Sequence, residues 1–194
     1  MIFNEKQVNN KKNIVDSLNK HFVNISSYSD VNTVDNSQFL RLKTYVDSKL
    51  HPSTQFVVKE ITPFKVMKIV KSIKNTKIVG IDDILSRVFK LATDALSIPI
   101  ASIINNSIKQ NIFPEELKHA KVVPVYKKGV VDDPHNYRPI SVLPCISKVF
   151  EKHICNQLQE FFNKTNILHS TQSGFRKGHS CQTALLHLVN KWAT

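Results

Sequence analysis

The chain has 194 residues, 41% of them hydrophobic and 22% charged, enough apolar side chain for a real core and too much for a disordered polymer. Lys plus Arg total 27 against 15 acids, a net charge of +12, which points to a polyanionic partner, either nucleic acid or an anionic membrane face. No apolar run approaches the roughly 20 residues that a spanning helix needs, and the longest candidate, residues 98–104, contains Pro99 and Ser102. The charge is uneven: residues 1–60 carry +2 and residues 61–194 carry +10, so a binding surface belongs to the later part. Cys145, Cys155 and Cys181 are an odd number without metal-type spacing, which fits reduced thiols in an intracellular protein, nucleus and cytoplasm not being distinguished. The first residues are crowded with Asn, Lys and Glu and do not read as a signal peptide.

In chain order, Ile14, Leu18, Phe22 and Ile25 recur at helical spacing and predict a short amphipathic helix. Residues 26–36 are rich in Ser, Asn and Asp and suit a loop. A weaker helix signal covers residues 39–46. Residues 1–58 therefore read as a linker-like segment, and residues 59–194 as the better ordered domain. Thr62-Pro63 reads as N-cap and first helical position. Phe64, Met67, Val70 and Ile73 then form an apolar face, flanked by Lys65, Lys68, Lys71, Lys74 and Lys77. That lysine row is a solvated face in its plainest reading and a binding stripe in the other. Gly80-Ile81-Asp82-Asp83 breaks the helix and caps the next, whose expected core face is Ile84, Val88, Leu91 and Ala95. Pro99 is expected to open a third helix burying Ile100, Ile103, Ile104 and Ile108.

Residues 120–128 read as a strand, demoted to an edge by Pro124. A turn around Gly129, Asp132, Asp133 and Pro134 leads into a return strand over residues 137–143. The strongest helix signal is at 145–163, through Ile146, Val149, Phe150, Ile154, Leu158, Phe161 and Phe162. A loop at 169–179 ends on Ser180, an N-cap for a last helix with Ala184, Leu185, Leu188 and Trp192. The expected class is α+β, mostly helical with a short β-hairpin.

Glycine is scarce: average usage near 7% predicts roughly 14 in such a chain, and there are four. Gly80, Gly129, Gly174 and Gly178 all fall in turns. Lys127-Lys128 precede Gly129, and Arg176-Lys177 lie between Gly174 and Gly178. Bare loop backbone beside cations makes a phosphate cradle; an ordinary tight turn with solvated lysines is the alternative.

These loops sit inside longer motifs. Phe113-Pro114-Glu115-Glu116-Leu117-Lys118-His119-Ala120-Lys121-Val122-Val123-Pro124-Val125-Tyr126-Lys127-Lys128-Gly129 resembles the stretch leading into the fingers of non-LTR retrotransposon (LINE-like) reverse transcriptases. Asn136-Tyr137-Arg138-Pro139-Ile140-Ser141-Val142-Leu143-Pro144, Ser147-Lys148-Val149-Phe150-Glu151-Lys152 and Gln172-Ser173-Gly174-Phe175-Arg176-Lys177-Gly178-His179-Ser180 resemble the motifs that follow. Upstream, Gly80-Ile81-Asp82-Asp83-Ile84 resembles a Gly–x–Asp motif in which many members have Gly where Asp83 stands. The resemblance covers residues 60–194 in family order.

It implies a partial reverse-transcriptase fingers subdomain. Lys127, Lys128 and Arg138 would contact the incoming nucleotide's triphosphate, where phosphoryl transfer gains from positioned positive charge. Gly174, Phe175, Arg176, Lys177 and Ser180 would meet the template strand: Phe175 by stacking or packing, Arg176 on phosphate, Ser180 as cap or backbone contact. The implied partners are an RNA template and a DNA primer, with the deoxynucleoside triphosphate bound weakly at most and no membrane. Mg²⁺ is implied for the complete family enzyme, with no cofactor held by this chain. The family's metal-binding Asp residues lie beyond the matched motifs. Asp82-Asp83 and Asp132-Asp133 read as turn and cap residues, so no catalytic or metal residue is assigned. The expectation is the template- and nucleotide-binding front part of an RNA-directed DNA polymerase, truncated before the catalytic palm motifs and inactive alone. The alternatives are a non-catalytic basic nucleic-acid-binding module and a decayed transposon fragment without function.

Overall fold

The computed structural model of the chain describes residues 2–3, 6–7, 10–25 and 36–192. They form two compact units. One takes Val58–Ile154 with the described part of residues 1–34. The other takes residues 155–192 with the described part of residues 35–57.

In the first unit, Ile2–Phe3 (β1) and Lys6–Gln7 (β2) pair antiparallel. Helix α1 spans Lys11–Ile25, with the side chain of Asn10 accepting from Lys12 N at 3.0 Å. The expected apolar face faces inward through Ile14, Leu18 and Phe22, while Ile25 is exposed.

The core of this unit begins at Ile61. Asn105 clamps that residue's backbone from both sides: its Oδ1 accepts from Ile61 N at 2.7 Å and its Nδ2 donates to Ile61 O at 3.0 Å. Just before it, Nε2 of the buried His153 lies 2.8 Å from Lys59 O, a geometry that calls for the tautomer with Nε2 protonated. Burial is the largest influence on His153 and holds its pKa below the usual imidazole value.

Helix α3 spans Pro63–Ser72. (The intervening helix α2, Asn36–Lys49, belongs to the second unit.) Thr62 caps α3 as the sequence suggests, its side chain accepting from Lys65 N at 3.3 Å. The buried face is Val66, Ile69 and Val70, with Ile73 packed behind. The expected face is thus rotated, and Phe64 stays exposed with the Lys68 ammonium 4.6 Å from its ring centroid. Lys74 and Lys77 fall beyond the helix end, so the lysine row is not one continuous helical stripe.

Helix α4 spans Ser86–Leu91 and buries Ser86 and Phe89. Ile84, Val88 and Leu91 are exposed, Leu91 at 80%. A helix this short offers one inward position per turn, and Phe89 takes it. Helix α5 spans Thr93–Gln110 and holds Pro99 in its interior. The expectation that Pro99 opens this helix is six residues late. The true start is supported by Thr93 Oγ1, which donates to Lys90 O at 2.6 Å, and one internal hydrogen bond is forgone at Pro99. Ile100 and Ile104 are buried and Ile103 is not. The helix ends on Asn111, whose φ of 55° is the left-handed stop.

Strands β3 (Lys121–Tyr126) and β4 (Tyr137–Val142) make the expected antiparallel hairpin, in register from Lys121↔Val142 to Tyr126↔Tyr137. Neither Pro124 nor Pro139 interrupts it, because they face each other in the register. Helix α6 spans Cys145–Thr165 and gives Cys145, Val149 and Phe150 to the first unit's core. Phe150 stacks on Phe113 at 4.9 Å. Ser147 Oγ donates to Leu117 O at 2.9 Å and ties the short 3-10 turn Glu115–Leu117 to α6. Ile104, Val66 and Val149 are wholly enclosed, and each such side chain contributes roughly 1.5–3 kcal/mol.

The second unit contains α2 (Asn36–Lys49), the later part of α6, a loop, and α7 (Cys181–Trp192). Phe56 packs on Phe161 at 5.4 Å. Helix α7 buries none of its residues, and Leu185, Leu186, Leu188, Val189 and Trp192 are exposed. The helix itself is where the sequence puts it, capped at Ser180. The fold is therefore α+β and mostly helical, with a two-stranded hairpin at 121–142.

Candidate nucleotide and nucleic-acid interface

The hairpin turn is fixed by its own polar groups. Lys127 N donates to Asn136 O at 2.8 Å, which carries the ladder one step past the strands. Asn136 Nδ2 then donates to Val130 O at 2.9 Å, Tyr126 Oη to Gly129 O at 2.6 Å, and Tyr137 Oη to Val131 O at 2.8 Å. Gly129 has φ +99°, and a Cβ there would lie 2.6 Å from Asn136 Nδ2. The backbone conformation calls for glycine, and a Cβ would also push the Asn136 side chain aside. The carboxylate of Asp133 accepts from His135 N at 2.9 Å, and His135 Nδ1 lies 2.8 Å from it. These bonds hold the Asp133 carboxyl below its usual range. The His21 ring of α1 meets the His135 ring edge-on at 4.5 Å. Burial, then the nearby His135, lowers the pKa of His21.

This rigid turn displays the three cations. Lys127, Lys128 and Arg138 are exposed, and none forms an ion pair among the described residues. Arg138 stands opposite Val125. Side chains alternate along a strand and opposed residues share a face, so Arg138 and Lys127 belong to the same face of the hairpin. The base of the hairpin is held by the buried Val142 and by Gly80. A Cβ on Gly80 would lie 3.0 Å from Pro144 N, tighter than ordinary contact, so glycine eases the close approach of the 80–84 turn. Asp83 in that turn has φ 51°, a left-handed position that glycine takes without strain. This is the position where the resembling family often has Gly. Asp82 Oδ1 accepts from Ile84 N at 3.3 Å, which makes it a turn residue.

The second basic loop is more open. Phe175 has φ 59° and is 104% exposed, so it packs into no core among the described residues. Arg176 Nη1 donates to His169 O and Gln172 O, both at 3.3 Å. Arg176 therefore holds its own loop together with one nitrogen, while Nη2 and Nε make no bond among the described residues. Lys177 is exposed. Ser180 and Thr183 cap α7 reciprocally: Ser180 Oγ accepts from Thr183 N at 3.2 Å and Thr183 Oγ1 from Ser180 N at 2.8 Å. Gly178 has φ +80°, and a Cβ at Gly174 or Gly178 would meet nothing within 4 Å.

Sequence reasoning missed Asn136 as the lock of the turn, although it stands directly before Tyr137-Arg138-Pro139, and an Asn in a turn is a standing candidate for backbone bonding. It also missed Asn105 and His153, whose partners lie 44 and 94 residues away. Burial raises the pKa of Cys145, which keeps that thiol protonated and unreactive. Among the described residues no three His, Cys, Asp or Glu side chains come together as a metal cage. The Mg²⁺ that the resemblance implies has no fitting ligand set there, and no catalytic step follows through it. No described helix is long and apolar enough to cross a membrane.

Both basic loops fall within residues 125–194, which match the family model for reverse transcriptase (RNA-dependent DNA polymerase). That match marks a reverse-transcriptase-like region. The chain is 35% identical over 124 residues to a probable RNA-directed DNA polymerase from transposon BS of Drosophila melanogaster. It is 33% identical over 133 residues to one from transposon X-element of the same fly. Over 164 residues it is 26% identical to the RNA-directed DNA polymerase from mobile element jockey. These alignments cover 62%, 66% and 84% of the chain but only 14%, 14% and 18% of the relatives. Through this stretch the chain is a reverse-transcriptase-like region, similar to the RNA-directed DNA polymerases of LINE-like, non-LTR retrotransposons.

Proposed function

We propose that residues 59–194 are the template- and nucleotide-gripping front part of an RNA-directed DNA polymerase, acting inside the cell on an RNA template and a DNA primer. Lys127, Lys128 and Arg138 meet the triphosphate. Their supports are exposure, the absence of competing ion pairs among the described residues, and the stiff turn beneath them. A guanidinium fork at Arg138 suits paired phosphate oxygens better than an ammonium does. Gly174, Phe175, Arg176 and Lys177 meet the template, with Ser180 fixing the helix behind them.

The single observation that carries this reading is Phe175. A bulky side chain held at positive φ is strained, and full exposure adds the cost of hydrating its ring. A nucleobase stacked on that ring would offset both. The divalent-metal carboxylates of the family lie outside the matched motifs, so these 194 residues alone grip without polymerising. Primer extension on an RNA template with Mg²⁺ and the four deoxynucleoside triphosphates tests this. The expected result is a retained complex and no extended primer. Extension by the purified chain overturns the proposed inactivity, and failure to bind the template–primer overturns the grip.

A further inference from the structure

The second unit contains a cleft that the two basic loops do not account for. Its volume is about 360 Å³, within the range of pockets that hold small planar ligands. Leu42, Tyr45 and Val46 of α2 form one wall, and Ile167, Leu168 and His169 form the other. Gln172 closes the end and supplies an amide. No carboxylate is among the described residues that line it. The Tyr45 and His169 rings lie 6.2 Å apart, tilted by 46°. The His169 ring is held in place because Nδ1 lies 2.7 Å from Thr171 Oγ1 and 3.3 Å from Thr171 N.

Cations stand at both rims. On α2 the wall residues 42, 45 and 46 are followed at helical spacing by Lys49, whose ammonium sits 5.8 Å from the Tyr45 ring centroid. On the other side Arg176 is anchored on the carbonyls of His169 and Gln172, two of the lining residues. An apolar slot with aromatic walls and a cation on each lip matches one chemistry: a nucleobase inside and its flanking phosphates outside. An aliphatic ligand would leave the cations without purpose, and a free phosphate would leave the apolar walls without one.

We infer that the cleft between α2 and residues 167–172 takes an unstacked base of single-stranded nucleic acid, with Tyr45 and His169 as its stacking surfaces and Lys49 and Arg176 on the adjoining phosphates. The inference rests on the template role of the 174–180 loop. It makes α2 a part of the nucleic-acid interface, although the sequence reads there as a linker.

The test compares two probes on the full chain: a 12-nucleotide single-stranded RNA and an abasic ribose-phosphate strand of the same length. Tyr45→Leu, which keeps an apolar wall and removes the ring face, is expected to weaken RNA binding by roughly 5- to 100-fold. Affinity for the abasic strand should not change, and Tyr45→Phe should behave as the parent. Equal loss on both strands, or no loss on either, overturns the inference; the latter result would leave the cleft to a peptide segment. Circular dichroism of Tyr45→Leu reports whether α2 survives. Independently, 5-bromouridine RNA irradiated with the unmutated chain should crosslink to Tyr45 or His169, and crosslinks found only elsewhere overturn the inference even if the variant unfolds. The underlying template reading fails separately, if the unmutated chain does not bind RNA or binds it independently of Lys177.

Discussion

The two basic loops are built in opposite ways. In the hairpin turn, glycine is favoured by a φ of +99°, and a Cβ would also displace Asn136, whose side chain stands 2.6 Å from where it would be. In the 174–180 loop a Cβ on either glycine meets nothing within 4 Å. One loop is a closed object with its cations mounted on top. The other is held by Arg176 and by the Ser180–Thr183 cap, with its aromatic tip in solvent. Such a contrast separates what glycine does for the fold from what it does for a partner. At Gly129 the fold already accounts for it. At Gly174 the fold offers no reason, and under the proposed template role the close approach of a nucleic-acid backbone would supply one.

Substitutions sharpen that contrast in order of size. Gly129→Ala imposes left-handed strain of about 1–2 kcal/mol and displaces Asn136 from Val130 O, a hydrogen bond contributing about 1 kcal/mol. The expected loss is about 2–3 kcal/mol, read as a lower urea midpoint. A loss under about 1 kcal/mol would mean that the turn is not closed as described.

Acid acts next, and on the same unit. His153 is buried and neutral, with its folded pKa below the unfolded value. Its contribution is therefore complete above the unfolded pKa near 6.5 and is lost as pH falls from there through the lowered folded value. Thermal melts at pH 7.5 and 5.5 should show the lower midpoint in acid, and His153→Gln should reduce that difference.

Gly178→Ala meets no atoms and imposes strain alone, about 1 kcal/mol at φ +80°. Gly174→Ala should leave the urea midpoint within about 0.5 kcal/mol, as surface changes usually do. Its affinity for single-stranded RNA should nonetheless fall. If that affinity is unchanged, the backbone at Gly174 does not approach a strand.

Most element positions were legible in the sequence, and most helix faces were legible only where the helix is long. Helix α6 shows its periodicity over five turns. Helices α3 and α4 are short, so a rotation by one residue satisfies the same pattern, and Val66, Ile69 and Phe89 were decided by what they pack against. Pro99 misled because a proline is commonest in the first turn, while here Thr93 continues the chain out of α4 before it. The proposed site is drawn from local motifs, Lys127-Lys128-Gly129 and Gly174 to Ser180. It was not legible where two distant segments meet: Asn136 across the turn, His153 on Lys59, and Tyr45 beside His169 have partners that no local pattern names. Asp83 is the reverse case, since its φ of 51° gives a physical reason for the glycine that the resembling family often has there.

The most direct measurement is the salt dependence of single-stranded RNA affinity, for the parent chain and for the double variant Arg176→Gln, Lys177→Gln. Each lost phosphate contact on a single strand lowers the slope of log affinity against log salt by about 0.7. The account predicts a slope shallower by about 1.4 in the double variant, with α7 still helical by circular dichroism. An unchanged slope in a folded double variant would contradict it, because the 174–180 loop would then not be where the chain holds its nucleic acid.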